Sequence, residues 1–222
     1  MINFCICGGG SLGHVIAGYL GANADVRVSM LTQRPQLWKN DIEVHTPEQT
    51  IIHGHIHTIS SNPEDVIPQA NIILLCLPGF AIKQQLQLIK PYVKSTTFVG
   101  SVFSSTGFFF NAMEILNEDV PLWGFQRVPF IGRIDKYGVS ANILGYKPCY
   151  HIAVENVSGP EKEEFQKLMQ DWFERDVYLL QNYYEASLTN SNPLLHTSRL
   201  YTMFGGENEA KVFDRMILFY EE

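Results

Sequence analysis

Apolar residues at the beginning of the chain occur in runs of strand length separated by a helical pattern. Residues 2–7 form an apolar run that stops at Gly8-Gly9-Gly10, and apolar positions at helical spacing then continue to Leu20. Residues 26–31 alternate or run apolar again. A strand, a tight turn, a helix and a second strand in this order predict a βαβ unit.

The same alternation continues through the middle of the chain. Residues 41–59 predict a two-stranded ribbon, and residues 71–77 are a continuous apolar run, typical of a parallel strand covered on both faces. Residues 81–93 are predicted as a helix and residues 96–102 as a strand. The predicted fold class is therefore α/β, with a Rossmann-type, doubly wound and mostly parallel sheet.

Further elements are predicted on both sides of residue 100. They are a short helix from Pro63 to near Gln69, a helix over 108–116, a strand over 120–125, two paired strands over 141–146 and 149–154, a helix over 161–175 and a strand over 177–180. Strand patterns are absent from Tyr183 onward, where helices are predicted over 193–204 and from about Glu207. We expect a sheet domain over 1–181, followed by an incomplete all-helical C-terminal domain over 182–222.

Composition and charge narrow the class of ligand. The chain has 222 residues, of which 45% are hydrophobic, and its formal net charge is −7. An acidic protein is a poor partner for nucleic acid or an anionic membrane, so small molecules are the expected ligands. No basic leader and no apolar run of membrane-spanning length is present, which predicts a cytoplasmic protein.

The glycines after the first strand carry the first candidate site. Gly8, Gly10 and Gly13 fit the G-x-G-x-x-G spacing, in which a pyrophosphate approaches the backbone at the second glycine. Ser11 and Leu12 begin the helix, whose free N–H groups favour phosphate. The sequence predicts dinucleotide binding here; the alternative is a glycine-rich loop without a ligand.

The end of the second strand predicts which dinucleotide is bound. An acidic residue there would bind the ribose 2′-hydroxyl of NAD, but the sequence reads Thr32-Gln33-Arg34. Arg34 can pair with the 2′-phosphate of NADP, and the two residues before it can add hydrogen bonds. NADP is therefore the preferred cofactor and NAD the second choice, while Arg34 could instead stack on adenine or lie in solvent.

Two other segments have candidate chemistry. Leu77, Pro78 and Phe80 follow a buried strand, so they are expected to border the cofactor cleft, unless they form a simple strand-to-helix turn. His53, His55 and His57 lie on one face of a predicted edge strand. Three imidazoles could share a metal, but no fourth ligand alternates with them, and we predict no metal site.

The cysteines are expected to be structural. Cys5, Cys7, Cys76 and Cys149 lack the spacing of a metal site, and three of them lie in predicted buried strands. Neither a disulfide nor a metal role is expected for them.

A candidate proton donor lies in the predicted helical domain. Asn192 and His196 are four residues apart at a helix start, so their side chains can face the same space. Histidine exchanges protons near neutral pH, and hydride transfer to a carbonyl or imine leaves charge that needs a proton. Without further information, Asn192 could equally cap the helix and His196 pack in its first turn.

Several motifs together resemble the opine (octopine/nopaline) dehydrogenase family. They are the glycine-rich start, Leu77-Pro78-Gly79-Phe80-Ala81, the segment 125–133 with Gly138, Gly145 and Lys147 after it, and Asn192-Pro193-Leu194-Leu195-His196. The family belongs to a group that includes ketopantoate reductase-like and 6-phosphogluconate dehydrogenase-like proteins. The resemblance covers nearly the whole chain, and its most specific part is the Asn-x-x-x-His element.

The resemblance implies an activity and roles for two residues. Family members reductively condense an amino acid with a 2-oxo acid through an imine, using NADH or NADPH, at a site between a Rossmann domain and a helical domain. The family's catalytic histidine corresponds to His196 and its asparagine to Asn192. Arg133 is a weaker candidate for holding a substrate carboxylate, since a structural ion pair is equally compatible with its position.

One departure from the family keeps other functions open. The family's aspartate partner of the histidine lies further downstream, and neither Glu207 nor Asp214 occupies its place. Two alternatives follow: a ketopantoate reductase-like enzyme that forms a hydroxyl group without an amine, and a non-catalytic NADP-binding sensor or scaffold. The helical segment is expected to be completed by a second subunit, as in a homodimer, or by chain beyond Glu222.

Overall fold

The computed structural model describes residues 1–204, and the final helix predicted from Glu207, with Asp214, lies outside the described residues. The strands are β1 (Ile2–Cys7), β2 (Val26–Leu31), β3 (Asp41–His45), β4 (Ile51–Ser60), β5 (Ile72–Leu75), β6 (Phe98–Ser101), β7 (Leu122–Phe125), β8 (Phe130–Lys136), β9 (Ser140–Tyr146), β10 (Cys149–Glu155) and β11 (Asp176–Leu179). The helices are α1 (Ser11–Gly21), α2 (Gly79–Ile89), α3 (Phe108–Ile115), α4 (Gly159–Phe173), α5 (Tyr183–Leu188) and α6 (Asn192–Phe204).

The described strands form one mostly parallel sheet. Their order is β11-β10-β7-β6-β5-β1-β2-β4-β3-β9-β8, and the pairs from β7 through β6, β5, β1 and β2 to β4 are all parallel. β5 is buried along its whole length, because helices cover both faces of a parallel sheet. The predicted Rossmann-type α/β fold is confirmed.

Helix α1 is enclosed by the sheet and does not lie on its surface. It packs against β2, β3, β4, β8 and β9, and its residues from Gly13 to Gly18 are all buried. A Cβ atom on Gly18 would collide with the Val44 side chain, and one on Gly54 would collide with the Gly18 backbone. The backbones of α1 and β4 therefore approach each other to a distance that only glycine permits.

The predicted pairing of 141–146 with 149–154 is wrong. β9 pairs with β8 and β3, whereas β10 pairs with β7 and β11, so the two strands lie in different halves of the sheet. The link between β9 and β10 consists of Lys147 and Pro148. It contains none of the Asn-Gly or Asp-Gly signals that reverse a chain in two residues, and it lets the chain cross between sheet halves.

Two smaller expectations also need correction. β4 is not an edge strand, because it lies between β2 and β3; its three histidines are nevertheless exposed on one face. The helix predicted from Pro63 to Gln69 is limited to a 3-10 turn over Pro63–Asp65, where the Asn62 side chain accepts a hydrogen bond from the Glu64 N–H. A single capped turn is what a Pro-Glu-Asp segment forms when no longer apolar pattern supports it.

The chain divides into two compact units, Met1–Leu188 and Thr189–Glu222. The first contains the sheet with α1 to α5, and the described part of the second contains α6. The sequence placed a boundary near residue 181, seven residues before α5 ends at Leu188. None of the helices within residues 1–204 combines the length and apolarity needed to cross a bilayer.

Candidate functional site

The turn between β1 and α1 has the geometry that its glycines predicted. Gly8 has φ of +120°, and its N–H donates to the Leu31 carbonyl at 3.0 Å. A Cβ atom on Gly13 would collide with the Gly8 carbonyl oxygen, so the helix can pack this closely on the strand only with glycine there. A Cβ atom on Gly10 would meet nothing within 4 Å. The space beside Gly10 is open to a ligand.

The start of α1 favours an anion in that space. Gly10 is the N-cap and makes no side-chain hydrogen bond, and the first turn of the helix contains no acidic residue. The first N–H groups of a helix have no partner inside the helix and carry partial positive charge. A phosphate oxygen beside Gly10 would satisfy them.

Two cavities lie on either side of this turn, at the carboxyl ends of the parallel strands. The β2-side cavity, of about 450 Å³, is bordered by Gly8, Thr32, Gln33, Arg34, Phe80 and Tyr137. The β6-side cavity, of about 760 Å³, is bordered by Gly10, Ser11, Leu12, Ser105, Thr106 and Arg133. Leu77 and Pro78 border both. A pair of cavities joined across a glycine turn has the layout needed for the two halves of a dinucleotide.

The β2-side cavity contains the residues that the sequence linked to NADP. Thr32 is buried, its N–H donates to the Ser60 carbonyl at 2.9 Å, and its hydroxyl oxygen accepts from the Arg34 N–H at 3.5 Å. The Arg34 side chain is exposed. No Asp or Glu is among the described residues that border this cavity, so its charge favours a phosphate over a bare ribose.

The β6-side cavity is more apolar and contains two features of chemical interest. Arg133 borders it, and its guanidinium Nη1 donates to the Gly132 carbonyl at 2.9 Å, which leaves other donors of the fork for a ligand. The Ser105 hydroxyl is buried without a hydrogen-bond partner among the described residues. Burial raises the pKa of the neighbouring Cys76 thiol, which therefore stays protonated and is a poor nucleophile.

Two residues of this region were missed by the sequence reasoning. His14 is fully buried, its Nδ1 lies 2.9 Å from the Gly10 carbonyl oxygen, and its Nε2 accepts from the Gly138 N–H at 2.7 Å. Burial lowers the pKa of His14, and the hydrogen bond to Gly10 opposes that shift only in part. Tyr137 precedes Gly138 in the β8–β9 turn. A histidine directly after the third glycine, and a Tyr-Gly pair between two strands, were the available signals.

The candidate catalytic residues lie in the second compact unit. Asn192 and His196 are both exposed on α6. The Asn190 side chain accepts a hydrogen bond from the Asn192 N–H at 2.9 Å, so Asn190 provides a capping oxygen where the helix begins. Asn192 is the first residue of α6, one position earlier than predicted.

Two of the three histidines of β4 lie beside carboxylates. His55 Nδ1 lies 2.7 Å from an Asp41 carboxylate oxygen, and His53 Nδ1 lies 3.8 Å from Glu43. Within residues 1–204, no group of three or more His, Cys, Asp or Glu side chains is arranged to hold a metal ion. Cys5, Cys7 and Cys76 are buried free thiols, and Cys149 is a partly buried one.

Comparison with known proteins identifies the relatives of the chain. The model of the family described as ketopantoate reductase PanE/ApbA matches residues 4–104. Octopine dehydrogenase of Pecten maximus is 25% identical over 99% of this chain and 59% of its own length. Tauropine dehydrogenase of Arabella iricolor is 28% identical, again over 99% of this chain and 59% of its own length.

A solved structure agrees with these matches. The structure of octopine dehydrogenase with NADH and L-arginine has a TM-score of 0.82 and 22% identity, covering 94% of this chain and 56% of that chain. The chain thus spans little more than half the length of the proteins it matches. Over nearly its whole length, the chain is similar to the opine dehydrogenases, as the motifs predicted.

Proposed function

We propose that the chain binds a nicotinamide dinucleotide and belongs to an oxidoreductase of the opine dehydrogenase type. The observation that carries this proposal is the open space beside Gly10, between two cavities at the carboxyl edge of the sheet. Gly8, Gly10, Ser11, Leu12 and Gly13 would hold the pyrophosphate on the first turn of α1. The bound dinucleotide supplies a hydride.

NADP is the preferred form in this proposal. Arg34, supported by Thr32 and Gln33, would pair with a 2′-phosphate in the β2-side cavity, where the described border contains no carboxylate. Leu77, Pro78 and Phe80 would border the dinucleotide on its other side. NAD remains the second choice, since the octopine dehydrogenase structure contains NADH.

The proposed reaction is reductive condensation of an amino acid with a 2-oxo acid. The octopine dehydrogenase structures contain L-arginine or pyruvate beside NADH, which supports this substrate class. His196 would donate the proton that the product requires, and Asn192, one turn earlier on α6, would orient the substrate. Arg133 would hold a substrate carboxylate in the β6-side cavity.

The proposal can be tested by following NADPH oxidation with pairs of amino acids and 2-oxo acids. The complete protein should oxidise NADPH only when both substrates are present. His196→Ala should abolish turnover and leave the dissociation constant of NADPH unchanged. His53→Ala, at another exposed histidine, is the matched control and should turn over normally. Full turnover by His196→Ala, or no turnover by the wild-type protein with any pair, would refute the mechanism.

A second candidate is supported by the family model over residues 4–104. A ketopantoate reductase-like enzyme would reduce a 2-oxo acid to a hydroxy acid, so NADPH oxidation would persist when the amine is omitted. A non-catalytic sensor or scaffold would bind NADPH without any turnover. The same assay therefore separates all three functions.

Location and assembly are also part of the proposal. The buried free thiols Cys5, Cys7 and Cys76 suit the reducing cytoplasm. Leu194, Leu195 and Leu200 are exposed apolar residues on α6, which supports a homodimer formed through the helical segment. Sedimentation of the complete protein would test the dimer, and a monomer at micromolar concentration would contradict it.

A further inference from the structure

The β8–β9 turn brings an aromatic side chain to the glycine turn from far along the chain. Tyr137 borders the β2-side cavity. A Cβ atom built on Gly9 would lie 2.7 Å from the Tyr137 hydroxyl and 2.9 Å from the Thr32 hydroxyl. The phenol oxygen therefore lies directly over the glycine turn, beside the residue at the end of β2.

A network of specific contacts fixes Tyr137 in this place. The next residue, Gly138, donates its N–H to His14 Nε2 at 2.7 Å, and its carbonyl accepts from the Lys39 N–H at 2.8 Å. Gly138 has φ of +70°, and a Cβ atom on it would collide with the Leu37 carbonyl. The turn can therefore take this position only with glycine after Tyr137.

The hydrogen bonds of His14 fix its tautomer. Nε2 accepts from a backbone N–H, so the proton is on Nδ1, which donates to the Gly10 carbonyl at 2.9 Å. The His14 ring also lies 4.0 Å from the Trp38 ring and 4.9 Å from the Tyr137 ring, between centroids. One neutral imidazole thus ties the glycine turn to the turn that carries Tyr137.

We propose that Tyr137 is a nucleotide-binding residue, which donates its hydroxyl to a ribose or phosphate oxygen on the adenosine side, and that His14 positions it. This inference rests on the proposed binding of a dinucleotide. A phenol and the Arg34 guanidinium bordering one cavity provide two donors for an oxygen-rich group. The ligand class is an adenine nucleotide, with or without a 2′-phosphate.

The test uses the two halves of the cofactor separately. Tyr137→Phe keeps the ring contacts with His14 and Trp38 and removes only the hydroxyl. We expect it to weaken binding of NADPH and of 2′,5′-ADP by about fivefold, the effect of one hydrogen bond, and to leave binding of the nicotinamide mononucleotide unchanged. Tyr178→Phe, at a half-exposed tyrosine on β11, is the matched control and should bind both normally.

Two His14 variants test the positioning role. Gln places an acceptor near the Nε2 position and Asn places a donor near the Nδ1 position, so His14→Gln can keep the bond from Gly138 and His14→Asn cannot. We expect His14→Asn to lose affinity for 2′,5′-ADP and His14→Gln to recover most of it. In His14→Asn/Tyr137→Phe the losses should not add, because both variants remove the same contact.

The outcomes separate this inference from the proposed function. Wild-type protein that binds neither NADPH nor 2′,5′-ADP would overturn both. If the wild-type protein binds NADPH and 2′,5′-ADP, and Tyr137→Phe binds both with unchanged affinity, the inference alone is overturned. Additive losses in the double variant would overturn the positioning role of His14 and leave the role of Tyr137. Thermal denaturation of each variant verifies that the fold is intact.

Discussion

The two cavities beside the glycine turn differ in chemistry and in the origin of their residues. Apart from Tyr137, every residue that borders the β2-side cavity lies between Gly8 and Leu88 in the sequence. The border includes the polar series from Thr32 to Arg34. The β6-side cavity is larger and more apolar, and its border includes residues from two later segments: Val102, Phe103, Ser105 and Thr106, and Val128 with residues 130–133. In the proposed function, the smaller cavity would select a nucleotide by charge, whereas the larger one would accommodate the reacting groups by shape. The glycine turn between β1 and α1 borders both cavities.

The largest expected effect comes from a substitution in the glycine turn, which borders both cavities. Gly10→Ala would place a methyl group in the open space where the pyrophosphate is expected. Since Gly10 has φ of −83°, alanine is accommodated without strain, and loss of a favourable N-cap should cost less than about 1 kcal/mol of stability. We expect the affinity for both NADPH and NADH to fall roughly 100-fold, or about 2.7 kcal/mol, by calorimetric titration.

Gly159→Ala is the matched control for this variant. A Cβ atom on Gly159 also meets nothing within 4 Å, and it too lies at the start of a helix, α4. Nucleotide affinity should be unchanged there. Equal affinities of Gly10→Ala and wild-type protein would place the pyrophosphate elsewhere.

The second-largest effect should distinguish the roles of the two cavities, because each cavity has one arginine on its border. Arg34→Gln removes the positive charge of the β2-side cavity. We expect the dissociation constant of NADPH to rise about tenfold and that of NADH to stay within a factor of two, since only NADPH has the 2′-phosphate. Fluorescence titration with both nucleotides measures the difference.

Arg133→Gln is the reciprocal variant on the β6-side cavity. It should change neither nucleotide constant, and it should raise the KM for the 2-oxo acid. If Arg133→Gln weakened NADPH more than Arg34→Gln did, the assignment of the two cavities would be reversed.

The smallest expected effect is a pH dependence of stability caused by His14, which links the glycine turn to the β8–β9 turn by hydrogen bonds. Burial holds the pKa of His14 below its ordinary value of 6.5, so the unfolded chain binds the proton more readily than the folded one. Its contribution to stability is present at pH values above 6.5 and is lost as the pH falls below 6.5 towards the lower pKa of the folded protein. Urea denaturation of wild-type and His14→Gln protein should show a shallower pH dependence in the variant. Identical slopes would exclude His14 as the source.

The regions that could be predicted from the sequence are those whose signals are local. Each of three signals lies within a few residues: the apolar run of β1, the glycine spacing and the series from Thr32 to Arg34. The glycine turn and Thr32 to Arg34 border the cavities. The parallel core could be predicted for the same reason, because doubly buried strands are apolar throughout.

The regions that could not be predicted depend on contacts between distant residues. β8 was not recognised as a strand, and β9 was paired with the wrong neighbour, because strand pairing across the sheet leaves no mark on short segments. His14 reads as one more helix residue until Gly138 is placed beside it. The role of Tyr137 depends on that same contact, so it was also missed.

The enclosure of α1 has a consequence for how the protein is made. The His14–Gly138 hydrogen bond joins residues 124 positions apart, and β8 and β9 are needed to cover the helix. During synthesis, the glycine turn leaves the ribosome long before these strands exist. The early chain therefore has an uncovered apolar helix until more than half of the sheet domain has been translated. The part of the molecule whose sequence is easiest to interpret is thus among the last to reach its final surroundings.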